Sequence, residues 1–150
     1  MVVYNPVGAL SGGGWINSPA GAAPSEPTGA GKGHFNVSVR FQGGSAVPNG
    51  NVRFRLKTAD INFVATSFDW LVVMPIDGAT GILRGHGTLN GNADYEFLLT
   101  VIDGDAPGGD GIDRFQVRIW GDTTSETVYD VSLGDLGSPI PSGQGRIRLQ

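Results

Sequence analysis

The stretch HFNVSVRFQ, residues 34–42, decides the fold class of this chain. Phe35, Val37, Val39 and Phe41 alternate along it with polar side chains. Successive side chains of a β-strand point to opposite faces, so a period of two predicts a strand with one face buried and one face in water. These residues therefore predict a half-buried β-strand.

Further segments repeat this alternation, and turn residues separate them. They include VRFRLK (52–57), DYEFLLTVI (94–102), DRFQVRIW (113–120) and GRIRLQ (145–150). The pairs Asn49-Gly50 and Asn90-Gly91 lie beside predicted strands, and both residue types tolerate the positive φ of a tight turn, which predicts a hairpin at each pair. No segment spaces apolar residues helically over three turns, so we expect almost no helix.

Length and composition complete the fold prediction. A chain of 150 residues suits one domain, and 39% hydrophobic residues with 25 glycines and 9 prolines indicate an all-β fold. We predict a single β-sandwich domain over residues 1–150, jelly-roll-like, with about nine or ten antiparallel strands. Residues 18–33, SPAGAAPSEPTGAGKG, lack bulky apolar side chains and are predicted to be a loop within this domain. The predicted core contains Phe35, Val37, Val39, Phe54, Phe97, Leu99, Phe115, Val117 and Ile119.

Charge and the absence of cysteine exclude several functions. The formal net charge is −4 with a pI near 4.9, whereas a nucleic-acid binder needs a basic surface to neutralise phosphates. The chain has no cysteine, which excludes disulfides and thiolate chemistry. No run is long and apolar enough to predict a membrane span, and the start MVVYNPVGAL lacks the basic and apolar segments of a signal peptide.

Several motifs follow one another along the chain in a recognisable order. They are GGGWINSPAG from Gly12, RGHGTLNGNADYEFLLTVIDG, GIDRFQVRIW with the later VYD, and the final GRIRLQ. Taken in this order, they resemble the post-COAP domain. Post-COAP domains lie toward the C-terminus of large secreted bacterial proteins, beside PKD-like and other immunoglobulin-like repeats. The resemblance implies an extracellular or cell-surface, non-catalytic β-module, and it supplies no catalytic residues. It also implies neighbouring immunoglobulin-like domains as partners.

The residues themselves give little support for catalysis. His34 and His86 are the two histidines, and neither lies in a recognisable nucleophile motif. Glu96 could belong to a glycosidase carboxylate pair, but its place on a strand favours pairing with an arginine of a neighbouring strand. We therefore predict that the domain is not an enzyme, with no catalytic residues assigned, and keep a glycan-active enzyme as the third alternative.

The loop DGDAPGGDGID, residues 103–113, concentrates carboxylates between two predicted strands. Asp103, Asp105, Asp110 and Asp113 supply the oxygen ligands that Ca²⁺ prefers, and the glycines allow sharp turns. The loop is not an EF-hand, because its residues depart from that motif and strands flank it. Two interpretations stay open: a calcium site formed by the four aspartates, or a solvated loop in which Asp and Gly form turns and Asp113 pairs with an arginine.

Cations alternate with apolar residues on several strands, which places them on the solvent faces. These cations are Arg40, Arg53, Arg55, Lys57, Arg114, Arg118, Arg146 and Arg148. The simpler interpretation is that they solvate the sheet and discourage edge pairing. The alternative is a binding face in which Arg53, Arg55, Arg118 and Trp120 receive an acidic polysaccharide or another cell-surface polymer.

Two function classes therefore remain from the sequence. The first is an adhesion or carbohydrate-binding module that tethers a larger protein to a surface or polymer. The second is a structural module that self-associates or packs against neighbours in a stalk, coat or filament. The apolar start MVVYNPVGAL favours the second slightly, because it could complete a sheet of its own domain or of another copy.

Overall fold

The structure, a computed structural model, describes residues 9–18, 23, 31–41, 47–74, 79–123, 126–130 and 140–149. For residues 93 and 140–146 only the backbone is described. This part of the chain contains nine strands and one 3-10 turn, at Lys57–Ala59. The strands are β1 (Ala9–Ser18), β2 (Gly31–Arg40), β3 (Asn49–Leu56), β4 (Ile61–Met74), β5 (Ala79–Leu89), β6 (Asn92–Asp103), β7 (Arg114–Gly121), β8 (Thr127–Asp130) and β9 (Ile140–Leu149).

All nine strands belong to one antiparallel sheet that wraps around the core. Their order is β6-β5-β4-β3-β2-β1-β9-β7-β8, and β6 also pairs with β7. This extra pairing is extensive, running from Tyr95 opposite Gly121 to Ile102 opposite Arg114. Strand β6 is first in this order and β7 is next to last, so their pairing closes the sheet around an interior. Every strand can then point alternate side chains into that interior.

Aromatic rings from distant strands meet in that interior. The Phe35 and Phe115 rings stack with centroids 4.2 Å apart, and the Phe54 ring lies 4.8 Å from the Tyr129 ring. Strands β2 and β3 therefore face β7 and β8 across the core. All nine residues predicted for the core are at most 4% exposed, which confirms the period-two assignment that placed them there.

The predicted all-β, sandwich-like fold is confirmed, and nine strands fall within the predicted number. The connections are simpler than in a jelly roll. Consecutive strands are neighbours from β1 to β7, and β9 inserts between β1 and β7. Among the described residues, no helix has the length and apolarity needed to cross a membrane.

Both predicted hairpins pair their strands, but only one of the two predicted Asn-Gly turns is confirmed. Asn90 and Gly91 have φ values of 52° and 83° and connect Leu89 directly to Asn92. Asn49 and Gly50, in contrast, are already in β3, opposite Arg40 and Val39. The β2–β3 connection is therefore 41–48. Position 50 requires glycine because the backbone of β2 lies too close there to leave room for a side chain.

Two other predicted segments fall largely outside the described residues. Ser18 pairs with Gly31, so residues 19–30 connect two adjacent strands, and of these only Ala23 is described. The predicted loop 18–33 is thus too long at both ends, because Ser18 and residues 31–33 belong to strands. In the segment MVVYNPVGAL, residues 1–8 lie outside the described residues, and Ala9 and Leu10 begin β1.

Replacing Gly50 by alanine should destabilise the domain more than replacing Gly91. At Gly50 the φ is 151° and an added Cβ would lie 1.9 Å from the Ser38 carbonyl oxygen, whereas at Gly91 it would meet nothing within 4 Å. We expect Gly91→Ala to cost about 1 kcal/mol for its positive φ, and Gly50→Ala on the order of 3 kcal/mol because β2 and β3 must separate. Urea denaturation measures both losses, and equal losses would contradict the close approach.

Tyr129 fixes the short strand β8 to the core and should ionise only in strong alkali. Its side chain is fully buried, and its hydroxyl lies 2.7 Å from the Ser18 Oγ. Burial raises the pKa of Tyr129 to about 12, although the Ser18 hydrogen bond lowers it slightly.

Because this pKa is higher in the folded state, the associated stability is complete below pH 10 and is lost as the pH rises toward 12. We expect absorbance at the tyrosinate band to show one tyrosine titrating with alkaline unfolding, and Tyr129→Phe to abolish that step. A late titration that persists in Tyr129→Phe would contradict this assignment.

Candidate functional site

The aspartate loop spans the end of β6 and the start of β7. Asp103 is the last residue of β6 and is buried, and Asp113 directly precedes β7. Because β6 and β7 pair along their length, the two aspartates lie beside each other at the base of the loop. The predicted loop is therefore present. Of the two aspartates at its base, Asp103 is buried and Asp113 is half-buried, and both contact the sheet.

Both basal carboxylates accept hydrogen bonds from backbone N–H groups. Asp103 accepts from Asp105 N at 3.1 Å and from Leu149 N at 3.1 Å. Asp113 accepts from Gly104 N at 3.0 Å and from Ile147 N at 2.8 Å. In each carboxylate, one oxygen accepts from a loop N–H group and the other accepts from an N–H group of β9. Charge-assisted hydrogen bonds of this kind are stronger than neutral ones.

These bonds close a gap in the sheet. Strand β9 pairs with β1 along one edge, but with β7 it pairs only at Ile140 and Pro141. The N–H groups of Ile147 and Leu149 would otherwise remain without a partner on that open edge, at a cost of about 1 to 3 kcal/mol each when buried. Asp103 and Asp113 form what we call the carboxylate seam.

The predicted four-aspartate calcium site is only partly assembled. Asp103, Asp105 and Asp113 offer ligand oxygens within 4.8 Å of one another. Asp110 is not in this group, since it binds Arg114 at 3.0 Å and accepts the Ile112 N–H. The arginine partner predicted for Asp113 is thus found on Asp110, whose pKa is lowered first by the Arg114 hydrogen bond.

This geometry fits Ca²⁺ less well than the loop sequence suggested. The ion takes six to eight oxygens, whereas three aspartates are grouped and backbone N–H groups already bond to both oxygens of two of them. Free lone pairs remain on those oxygens, so calcium binding stays a prediction.

The four predicted ligand-binding residues lie on opposite faces. Arg53 and Arg55 point outward from β3, while Arg118 and Trp120 lie on the outer side of β7. Since β3 and β7 face each other across the core, these outward faces point away from each other. A single bound polymer segment therefore contacts one pair or the other.

The outer side of β1, β2 and β3 carries what we call the basic face, formed by Trp15, Lys32, His34, Arg53 and Arg55. In register, Trp15 lies opposite His34, and His34 lies opposite Arg55. The Lys32 Nζ lies 4.3 Å from the Trp15 ring centroid. An open groove of about 430 Å³ runs between Trp15, His34, Arg53 and Arg55.

The strands of the basic face and their neighbour β9 carry positive but no negative side chains. Strands β9, β1, β2 and β3 are contiguous and contain no Asp or Glu, yet they hold six of the ten Lys and Arg residues. Among the described residues, neither Arg53 nor Arg55 forms an ion pair. Exposure of Arg40, Arg53, Arg55, Arg118 and Arg148 confirms their predicted outward positions. Lys57 is also exposed, but it begins the 3-10 turn after β3 and does not lie on a strand. Arg114 is half-buried, and the Arg146 side chain lies outside the described part.

The opposite face, across β4 to β8, carries both signs of charge in direct contact. Glu96 accepts hydrogen bonds from Arg84 at 3.1 Å and from the Trp120 indole N–H at 2.9 Å, which confirms the predicted arginine partner for Glu96. Burial raises the pKa of Glu96, but the Arg84 and Trp120 hydrogen bonds outweigh it and hold that pKa below its ordinary value. Asp69 contacts His86 at 3.2 Å, and Arg118 lies 4.0 Å from Asp130.

Sequence reasoning missed Trp15, Lys32 and His34 on the basic face, and Asp69 beside His86. The charge composition of the sequence could have indicated the basic face, because residues 31–57 hold five Lys and Arg residues and no acidic residue. No sequence pattern could have indicated that Asp69 lies beside His86, because this contact depends on an irregular register between β4 and β5.

Comparison with known proteins gives no relative: no family model, curated protein or solved structure matches the chain.

Asp103→Asn and Asp113→Asn should each destabilise the domain by about 1 to 3 kcal/mol. Asparagine is isosteric with aspartate, but its amide nitrogen cannot accept a hydrogen bond, so one backbone N–H loses its partner. Asp105→Asn is the matched control, since Asp105 is exposed. Urea denaturation in EDTA measures all three, and a loss in Asp105→Asn equal to the other two would contradict the seam.

Melting the native chain in EDTA and in millimolar CaCl₂ tests the calcium prediction separately. Calcium bound only to the folded state would raise the melting temperature. Superimposable curves would mean that the aspartates act through the chain alone.

Proposed function

We propose that this domain is a non-catalytic binding module of an extracellular or cell-surface protein that holds an acidic polysaccharide on the basic face. The observation that carries the proposal is the charge segregation of the sheet. A chain of net charge −4 places six of its ten cations on four contiguous strands without a single carboxylate. Solvation alone does not require the two signs of charge to separate in this way.

The groove offers the chemistry that an acidic sugar needs. Arg53 and Arg55 are exposed guanidinium groups on one strand, and their planar forks suit bidentate bonds to carboxylates or sulfates. Trp15 adds an amphipathic ring at the groove wall, and His34 lies between it and Arg55. The groove lies on the outer side of the regular pairs β1–β2 and β2–β3, which supports a preformed site.

The location and the absence of catalysis in this proposal come from the resemblance to post-COAP domains. Glu96, the one carboxylate considered for glycosidase chemistry, is bonded to Arg84 and Trp120 on the opposite face. The structural alternative, a self-associating stalk or coat subunit, relied on MVVYNPVGAL, most of which is outside the described residues.

Binding to polygalacturonate and to heparin tests this function. We expect both to bind at low salt, with affinity that falls steeply as salt rises, and Arg55→Ala or Arg53→Ala to weaken binding at least about tenfold. The melting temperature should not change, because both side chains are exposed. Arg118→Ala, on the opposite face, is the matched control and should bind normally.

Double-stranded DNA and uncharged dextran complete the experiment. Equal affinity for DNA would show that polyanion charge alone drives binding, which contradicts a saccharide groove. Failure of both acidic glycans to bind at low salt, or an equal loss in Arg118→Ala, would overturn the proposal.

A further inference from the structure

A mixed group of carboxylates and imidazole lies on the face opposite the basic face. Its members are Asp69 on β4, His86 on β5 and Glu96 on β6. His86 and Glu96 are direct cross-strand partners. The β4–β5 register shifts between Phe68 and Trp70, so Asp69 is the extra residue of a β-bulge. Such bulges re-aim side chains, and this one directs Asp69 toward His86.

The three side chains are close enough to share one ion. His86 Nε2 lies 3.2 Å from Asp69 Oδ2, and one ligand atom from each of the three residues lies within 4.8 Å of the others. Ligands about 2.0 to 2.2 Å from a tetrahedral Zn²⁺ lie roughly 3.3 Å from one another. The Asp69 and His86 side chains are 39% and 37% exposed, so they can close the remaining distance by small rotations.

Glu96 is already held in the manner of a metal-binding carboxylate. Trp120 donates to its Oε2 and Arg84 to its Oε1, yet each carboxylate oxygen keeps a further lone pair. Hydrogen bonds from such surrounding groups orient metal ligands in known sites.

Arg84 opposes the ion and limits its affinity. Its Nη2 lies 3.1 Å from Glu96 Oε1 and its Nε lies 3.9 Å from Asp69 Oδ2. One positive charge against two carboxylates leaves a net negative group when His86 is neutral. We therefore expect weaker binding than at a structural zinc site.

We propose that Asp69, His86 and Glu96 form a binding site for Zn²⁺ or another first-row divalent ion that accepts imidazole. The imidazole nitrogen disfavours Ca²⁺ and Mg²⁺, which take oxygen ligands, and it suits zinc, copper and nickel. Three protein ligands leave a coordination position open toward solvent. This site shares no residue with the basic face, so an experiment that disproves one proposal does not affect the other.

Calorimetric titration of the full chain with ZnCl₂ tests the site. We expect one ion per chain with micromolar affinity, and His86→Gln and Asp69→Asn should each weaken it at least about tenfold. The chain offers a matched control in its other histidine: His34→Gln should bind zinc like the native protein. Circular dichroism confirms that each variant is folded, and Asp69→Asn keeps the test available should His86→Gln misfold.

A second readout is the melting temperature, which zinc should raise in the native chain and in His34→Gln but not in the site variants. Native-like zinc affinity in folded His86→Gln, loss of binding in His34→Gln, or no heat and no melting shift at millimolar zinc would overturn the proposal.

Discussion

The fold depends on closing a sheet whose ladder is incomplete. Strands β6 and β7 pair fully, but β9 joins β7 by only two residues before its edge diverges. Asp103 and Asp113 bridge the remaining distance by accepting the N–H groups of Leu149 and Ile147. Without these acceptors the interior, with its stacked Phe35 and Phe115, would border on unsatisfied backbone groups.

Closure also determines which side chains share a surface. Wrapping the strands around one core turns the outer sides of β3 and β7 away from each other. The described cations of β9, β2 and β3 therefore gather on one face, while Arg84 and Arg118 meet carboxylates on the other. The two proposed sites follow from this division: unneutralised guanidinium groups suit an anionic polymer, and a carboxylate–imidazole group suits a metal ion.

Structural features that depend only on residues close together in sequence could be predicted. Alternation over 34–42 placed Phe35, Val37 and Val39 in the core, and two adjacent positive-φ residues at Asn90-Gly91 gave a hairpin. The same dipeptide at Asn49-Gly50 failed, because the need for glycine there comes from the approach of β2 and not from a turn.

What depends on strand order could not be predicted. Arg53 and Arg118 have the same local pattern, but only the closed sheet shows that they lie on opposite faces. The loop 103–113 was recognised as unusual, whereas its partners on β9 are 34 and 46 residues away in sequence. Asp69 reaches His86 through a bulge that no sequence signal marks.

Amide hydrogen exchange in the native chain, in EDTA, tests the carboxylate seam most directly. Alternate N–H groups of a strand point to opposite edges, so Arg148 points to β1 while Ile147 and Leu149 point to the aspartates. We predict that the Ile147 and Leu149 amides are protected to the same degree as that of Arg148. Rapid exchange at Ile147 and Leu149 beside a protected Arg148 would show that the edge is open and would contradict it.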